Sequence, residues 1–267
     1  MKYIDIHCHL DFPDYGEELP QILERMKENE VGAITIGTDF QSSKRAVEIA
    51  NQNENIWACI GVHPAPSPLE GEGWGEVEKE FEKLASNPKV VAIGECGLDF
   101  FRTKPEDLEM EKERQTQLFE TQIKFALKYD KPLMLHCRNA YDEVLDILKS
   151  YKREADDKLR GNVHFFAGTV EQARKFFDLG FTISFTGVIT FTRDYDEVIK
   201  FAPKGKIMSE TDAPFVAPEP HRGKRNEPIY VIEVVKKMAK IRGVSEDDMR
   251  KMLLETAEKT FAISLQN

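Results

Sequence analysis

Eight short runs of β-branched and other apolar residues alternate with amphipathic stretches from one end of this chain to the other. They lie at positions 3–8, 31–37, 56–61, 90–95, 132–136, 162–166, 181–186 and 207–211. Several are apolar throughout, as in Val90-Val91-Ala92-Ile93 and Leu133-Met134-Leu135, which is how strands covered on both faces of a parallel sheet read. Between them, Leu19, Ile22, Leu23 and Met26, then Phe119, Ile123, Ala126 and Leu127, then Val231, Val234, Val235 and Met238 repeat at the spacing of one helix face. Eight strand-helix units predict an α/β fold, a distorted (β/α)8 TIM barrel, with a doubly wound open sheet as the competing arrangement. A chain of 267 residues suits one such barrel, and no linker divides it, so a single domain over residues 1–267 is expected. The stretches Pro64 to Gly75 and Arg102 to Glu113 read as insertions after the third and fourth strands, on the side where barrel enzymes build their sites, or as plain surface loops.

The formal net charge is −10. An acidic surface repels nucleic acid at long range, which argues against a broad basic DNA-binding face but leaves room for a phosphodiester gripped locally. Cys8, Cys59, Cys96 and Cys137 lie in apolar runs without paired zinc or redox spacing, and read as buried free thiols. Neither a signal segment nor an apolar run of about 18 residues is evident, so a cytoplasmic protein without a membrane partner is expected, a monomer being favoured.

In Asp5-Ile6-His7-Cys8-His9, two histidines lie one residue apart at the end of the first strand. Residues two apart share a strand face, roughly 6 to 7 Å from each other, so both imidazoles can converge on one cation. Glu95 ends the fourth strand, His136 the fifth and Asp212 the eighth, and His164 lies on the sixth. All six point to one end of the barrel, the end where active sites sit. Six ligands exceed what one tetrahedral zinc accepts. Two divalent cations, Mg²⁺, Mn²⁺ or Zn²⁺, would use them all: His7, His9 and Asp212 for the first, His136 and His164 for the second, Glu95 bridging. Such a pair activates a shared water, which Asp212 would hold and deprotonate. Arg138, two residues past His136, would aim a guanidinium at the same mouth, and Arg222, Lys224 and Arg225 form a local basic cluster suited to phosphate, or an ordinary solvated loop. His63 would touch substrate or a ligand carboxylate without binding metal. Glu210 would orient a histidine or cap a helix. Phe100, Phe101 and Trp74 would stack a terminal base, or pack inside the barrel.

The chain resembles the TatD family of metal-dependent deoxyribonucleases, of the amidohydrolase type. The matching motifs are Asp5-Ile-His7-Cys-His9-Leu-Asp11, Gly61-Val-His63-Pro64, Ile93-Gly-Glu95-Cys-Gly-Leu-Asp99, Leu135-His136-Cys-Arg138-Asn-Ala140, His164-Phe-Phe-Ala-Gly168, Glu210-Thr-Asp212-Ala-Pro214 and Arg222-Gly-Lys-Arg225-Asn226-Glu-Pro228. The resemblance implies a barrel with a divalent metal pair that hydrolyses phosphodiesters, often as a 3′ to 5′ exonuclease on DNA ends. It also admits an ester or amide hydrolase, such as a D-aminoacyl-tRNA deacylase. Phe165-Phe166-Ala167-Gly168, Phe100-Phe101 and Ala65 depart from the family's usual residues, which bears on substrate contacts more than on metal binding.

Overall fold

Strands this uniformly apolar need cover on both faces, and they receive it. The computed structural model describes residues 1–65 and 74–265. The strands β1 (Tyr3–Cys8), β2 (Val31–Ile36), β3 (Ile56–Ile60), β4 (Val90–Asp99), β5 (Leu133–Arg138), β6 (Gly161–Val163), β7 (Phe181–Phe185) and β8 (Ile207–Ser209) pair in sequence order, all in parallel. Around them run α1 (Leu19–Glu28), α2 (Phe40–Gln52), α3 (Trp74–Ala85), α4 (Leu108–Lys128), α5 (Tyr141–Ala155), α6 (Val170–Asp178), α7 (Asp196–Phe201), α8 (Val231–Arg242) and α9 (Glu246–Phe261). Alternate strand residues serve two apolar environments. Val31, Ala33, Ile56 and Ala58 pack with helix residues such as Ile22, Met26, Ala46 and Val47. Ile4, Ile6, Ile34, Ile36 and Met208 join a second cluster with Phe261 and Ile263 from the end of the chain.

The expected barrel forms, and it is distorted where β8 meets β1. There the ladder is a single bridge, Cys8 with Ala213, extended by Asp212 N–H donating to the His7 carbonyl at 2.9 Å and His9 N–H donating to the Ala213 carbonyl at 2.8 Å. The buried Asp5 carboxylate supplies further closure, accepting from the Thr211 N–H at 2.9 Å and the Thr211 hydroxyl at 2.5 Å. No helix among the described residues is long and apolar enough to cross a membrane.

Several expected boundaries shift. β4 continues to Asp99, so Glu95 sits within the strand; β6 stops at Val163 and β8 at Ser209, so His164 and Asp212 lie just beyond them. Phe165 and Asp212 adopt left-handed backbone, with φ of 45° and 56°, and that conformation ends an extended ladder. Residues 102–113 form only a short loop before a 3-10 turn at Pro105–Asp107 and the start of α4, so the second stretch is largely helical. Most of the first, residues 66–73, lies outside the described residues.

Two register shifts position the site. One falls between Asp5 and Cys8 of β1, the other between Ile93 and Cys96 of β4. A bulge of this kind breaks strict alternation and re-aims side chains. Close approach of β4 to β5 does the rest. A side chain on Gly97 would meet the His136 carbonyl at 2.0 Å, and one on Gly94 would meet the Met134 carbonyl at 2.3 Å, so bare backbone here brings Glu95 against His136.

Candidate metal centre

The His9 ring is oriented by the end of β2. Its Nδ1 lies 3.0 Å from the Ile36 carbonyl oxygen, which can only accept, so in the neutral ring Nδ1 carries the proton and Nε2 is the nitrogen free to ligate. The adjacent Asp39 side chain caps α2 by accepting from Ser42 N–H at 2.7 Å, a contact worth ~1 kcal/mol that fixes the turn after Ile36. His9 Nε2 then faces Asp212 Oδ1 at 3.5 Å and Glu95 Oε2 at 3.9 Å. His7 Nε2 faces the same two carboxylates at 3.7 and 3.6 Å.

The other oxygen of Glu95 faces the other way. Oε1 lies 2.7 Å from His136 Nδ1, 2.8 Å from His164 Nε2 and 3.6 Å from His63 Nε2. His136 Nδ1 and His164 Nε2 are themselves 3.2 Å apart. The far nitrogen of His136, Nε2, lies 3.0 Å from Asp99 Oδ2, so Nε2–H donates to Asp99; without metal Nδ1 donates to Glu95, and on losing that proton it would offer a lone pair to a cation. Such carboxylate partners raise a ligand's basicity, and their loss typically costs about 10- to 100-fold in metal affinity. Asp99→Asn is accordingly expected to weaken the His136 side by about that factor while leaving the His7–His9 side unchanged. Competition with a metal-sensitive dye would resolve two affinities of which only one moves.

His63 converges with Glu95 and His136 but differs from them. Its Nδ1 accepts from the Ala65 N–H at 3.1 Å, so in the neutral ring the proton sits on Nε2, and that nitrogen donates rather than ligates. Burial keeps the ring neutral by lowering its pKa to about 4, against the opposing pull of Glu95.

The donor set fits divalent cations. Both ring nitrogens of His7 and Nδ1 of His164 are buried without a hydrogen-bond partner among the described residues, a costly state for polar atoms unless another group completes them. Imidazoles and carboxylates facing each other across gaps of 3.5 to 3.9 Å are what lone pairs bonding a cation at ~2.0–2.2 Å require.

Without metal, protons take up part of this charge. Burial would lower the His9 pKa, but the Asp212 and Glu95 carboxylates outweigh it and hold His9 at about 9. For His164 too, burial is overcome, chiefly by Glu95, and its pKa rises well above the usual value. Glu95 itself, which burial would raise, is held well below the carboxylate range by His164, His63 and His136. Imidazoles must lose those protons to bind metal, so metal uptake releases protons and weakens with acid. The raised His9 pKa stabilises the metal-free fold fully below pH ~6.5 and loses that contribution as pH rises through about 9. The Tm gap between metal-loaded and metal-free protein is therefore expected to widen from pH 6.5 to 9; a constant gap would remove the protonated His9. His63, held at about 4, acts only below that window.

Of the expected substrate contacts, Arg138 stacks over Phe101, with its guanidinium carbon 3.6 Å from the ring centre. Arg222 stacks over Phe191 at 3.8 Å. The expectation for Arg225 is corrected: its guanidinium donates to the Asp14 carbonyl at 2.6 Å and pairs with Glu18, so it ties the strand-8 loop to the segment before α1. Trp74 and Phe100 are buried, Trp74 stacked on Phe81 at 4.5 Å; as the first residue of an amphipathic helix, Trp74 turns to the core rather than to a base. Glu210 is fully buried and accepts from Phe165 N–H and the Ser184 hydroxyl, both at 2.6 Å. It stands 3.7 Å from His164 Nδ1, beside a histidine as expected but beyond hydrogen-bond reach. The four cysteines are buried and unpaired. The role of Asp99 was missed; its place at the end of an apolar run, four residues past Glu95, was the available signal.

The family model described as TatD related DNase matches residues 4–262. The metal-dependent hydrolase YabD of Bacillus subtilis is 34% identical, covering 97% of this chain and 99% of its own length. The protein named 3′-5′ ssDNA/RNA exonuclease TatD from Erwinia billingiae is 30% identical, covering 97% and 98%. Among solved structures, YjjV, a TatD homologue from Escherichia coli K12, superposes with a TM-score of 0.87 at 30% identity, covering 98% of this chain and 99% of that one. Matched nearly end to end by this family's model and by relatives of its own length, the chain belongs to the TatD-related DNase family of metal-dependent hydrolases.

Proposed function

We propose that the protein is a binuclear phosphodiesterase acting on DNA ends, of the 3′ to 5′ exonuclease type. The observation that carries this reading is Glu95, whose two oxygens face separate sets of imidazoles, His7 and His9 on one side, His136 and His164 on the other. A carboxylate placed in this way suits a bridge between two cations, with Asp212 completing the first set. Cations held there would supply Lewis acidity, drawing charge from a phosphoryl oxygen and making water more acidic.

The chain's own residues then divide the work. The Asp212 side chain is the more open carboxylate, 14% exposed against 5% for Glu95, and is suited to hold the attacking water and take its proton. His63 would donate from Nε2 to an oxygen of the reacting phosphate. Arg138, exposed at the end of β5, would neutralise an adjoining phosphate by a bidentate contact. The relative from Erwinia billingiae carries an exonuclease name, which supports polynucleotide as the substrate.

A panel of single-stranded DNA, duplex DNA, RNA and D-aminoacyl-tRNA, assayed with defined Mg²⁺, Mn²⁺ or Zn²⁺ and with chelator, tests the reading. The expected result is metal-dependent release of mononucleotides from DNA 3′ ends. Turnover of D-aminoacyl-tRNA alone would replace phosphodiester chemistry with ester hydrolysis.

A further inference from the structure

Among the described residues, five large apolar side chains are more than a third exposed: Phe101 at 51%, Met110 at 63%, Phe191 at 41%, Phe215 at 43% and Val244 at 43%. Four of them follow the C-terminal ends of strands: Phe101 and Met110 after β4, Phe191 after β7 and Phe215 after β8. Val244 follows α8, at the opposite end of the barrel. Leaving a phenylalanine in water forgoes ~1.5–3 kcal/mol of burial, and exposed apolar groups gathered round one opening mark a binding surface rather than a core.

Their neighbours indicate what would bind. Phe215 packs edge-on to Phe12 with ring centres 5.3 Å apart, and both rings flank His9, at 6.1 and 5.4 Å. This aromatic pair therefore adjoins the metal centre directly. Phe101 and Phe191 each carry an arginine on one face, Arg138 and Arg222. Neither guanidinium makes an ion pair or hydrogen bond with any described residue. Stacking fixes the plane of a guanidinium and leaves its N–H edge free, the arrangement that meets phosphate oxygens in pairs.

We propose that the mouth is a single-strand cradle in which Phe215, braced by Phe12, stacks the base beside the reacting phosphate. The stacked pairs Arg138–Phe101 and Arg222–Phe191 grip flanking phosphates. This deepens the phosphodiester reading and rests on it. A duplex keeps its base faces stacked on one another and has none to offer Phe215, so the cradle would act on an unpaired end.

The test uses the Mg²⁺-loaded protein and a single-stranded hexamer with 2-aminopurine at its 3′ end and phosphorothioate linkages that slow cleavage. Stacking on Phe215 is expected to quench the 2-aminopurine, and Phe215→Ala to abolish the quench and weaken binding about 10-fold, with Phe215→Trp restoring both. Replacing Arg138 and Arg222 together with glutamine is expected to flatten the slope of log K against log salt by about 1.4, which is ~0.7 per phosphate contact on a single strand. Val244→Ser is expected to change neither readout. Equal quenching by wild type and Phe215→Ala, or no quenching by either, would overturn the cradle even if unmodified DNA is cleaved. Quenching that depends on Phe215 without cleavage of unmodified DNA would keep the cradle and remove the nuclease.

Discussion

Glu95→Gln is expected to empty both metal sets at once and to lower kcat/KM by about 10³-fold or more, the scale of losing a central electrostatic element of an active site. The substitution preserves shape, so the loss is one of charge. Glu95 is buried and lies within 4 Å of five imidazoles, those of His7, His9, His63, His136 and His164. An amide in its place offers one neutral oxygen to one side and an NH₂ group to the other, which repels a cation. Metal analysis after dialysis separates the outcomes: loss from both sets supports a bridge, whereas loss of a single ion would make Glu95 a ligand of one side alone.

Asp212→Asn is expected to act differently. It removes a proton acceptor and one carboxylate facing His7 and His9, while the His136–His164 side keeps every group. Removing a general base typically costs 10²- to 10⁴-fold, so kcat is expected to fall by about 10³-fold with KM nearly unchanged and the second ion retained. The backbone should tolerate it, because Asp212 has φ 56° and asparagine accepts left-handed backbone as readily as aspartate. A loss confined to KM would assign Asp212 to substrate binding instead.

The barrel was legible because fully covered parallel strands must be apolar at nearly every position, a pattern that survives in runs such as Val90-Val91-Ala92-Ile93. Glu95 stood out for the same reason, as a charge at the end of such a run. Less legible were features set by register. The pairing of Asp99 with His136 depends on the shift between Ile93 and Cys96, and nothing in linear spacing reports a bulge. Arg225 was misjudged because a basic cluster in sequence does not reveal that Glu18 and the Asp14 carbonyl, more than 200 residues away, claim one of its members. Aromatics divided in the same way. Trp74 and Phe100 satisfy helix and strand packing, while Phe191 ends a 3-10 turn and Phe215 lies on a loop shaped by the left-handed Asp212 and Val216 and by Asn226 Nδ2 donating to the Phe215 carbonyl.

The central claim is two cations divided by one carboxylate. Anomalous diffraction from crystals of Mn²⁺-loaded protein tests it most directly. The account predicts two peaks, one among His7, His9, Asp212 and Glu95 Oε2, the other among His136, His164 and Glu95 Oε1, with His63 liganded to neither. A single peak, or a second one bound away from Glu95, would contradict it.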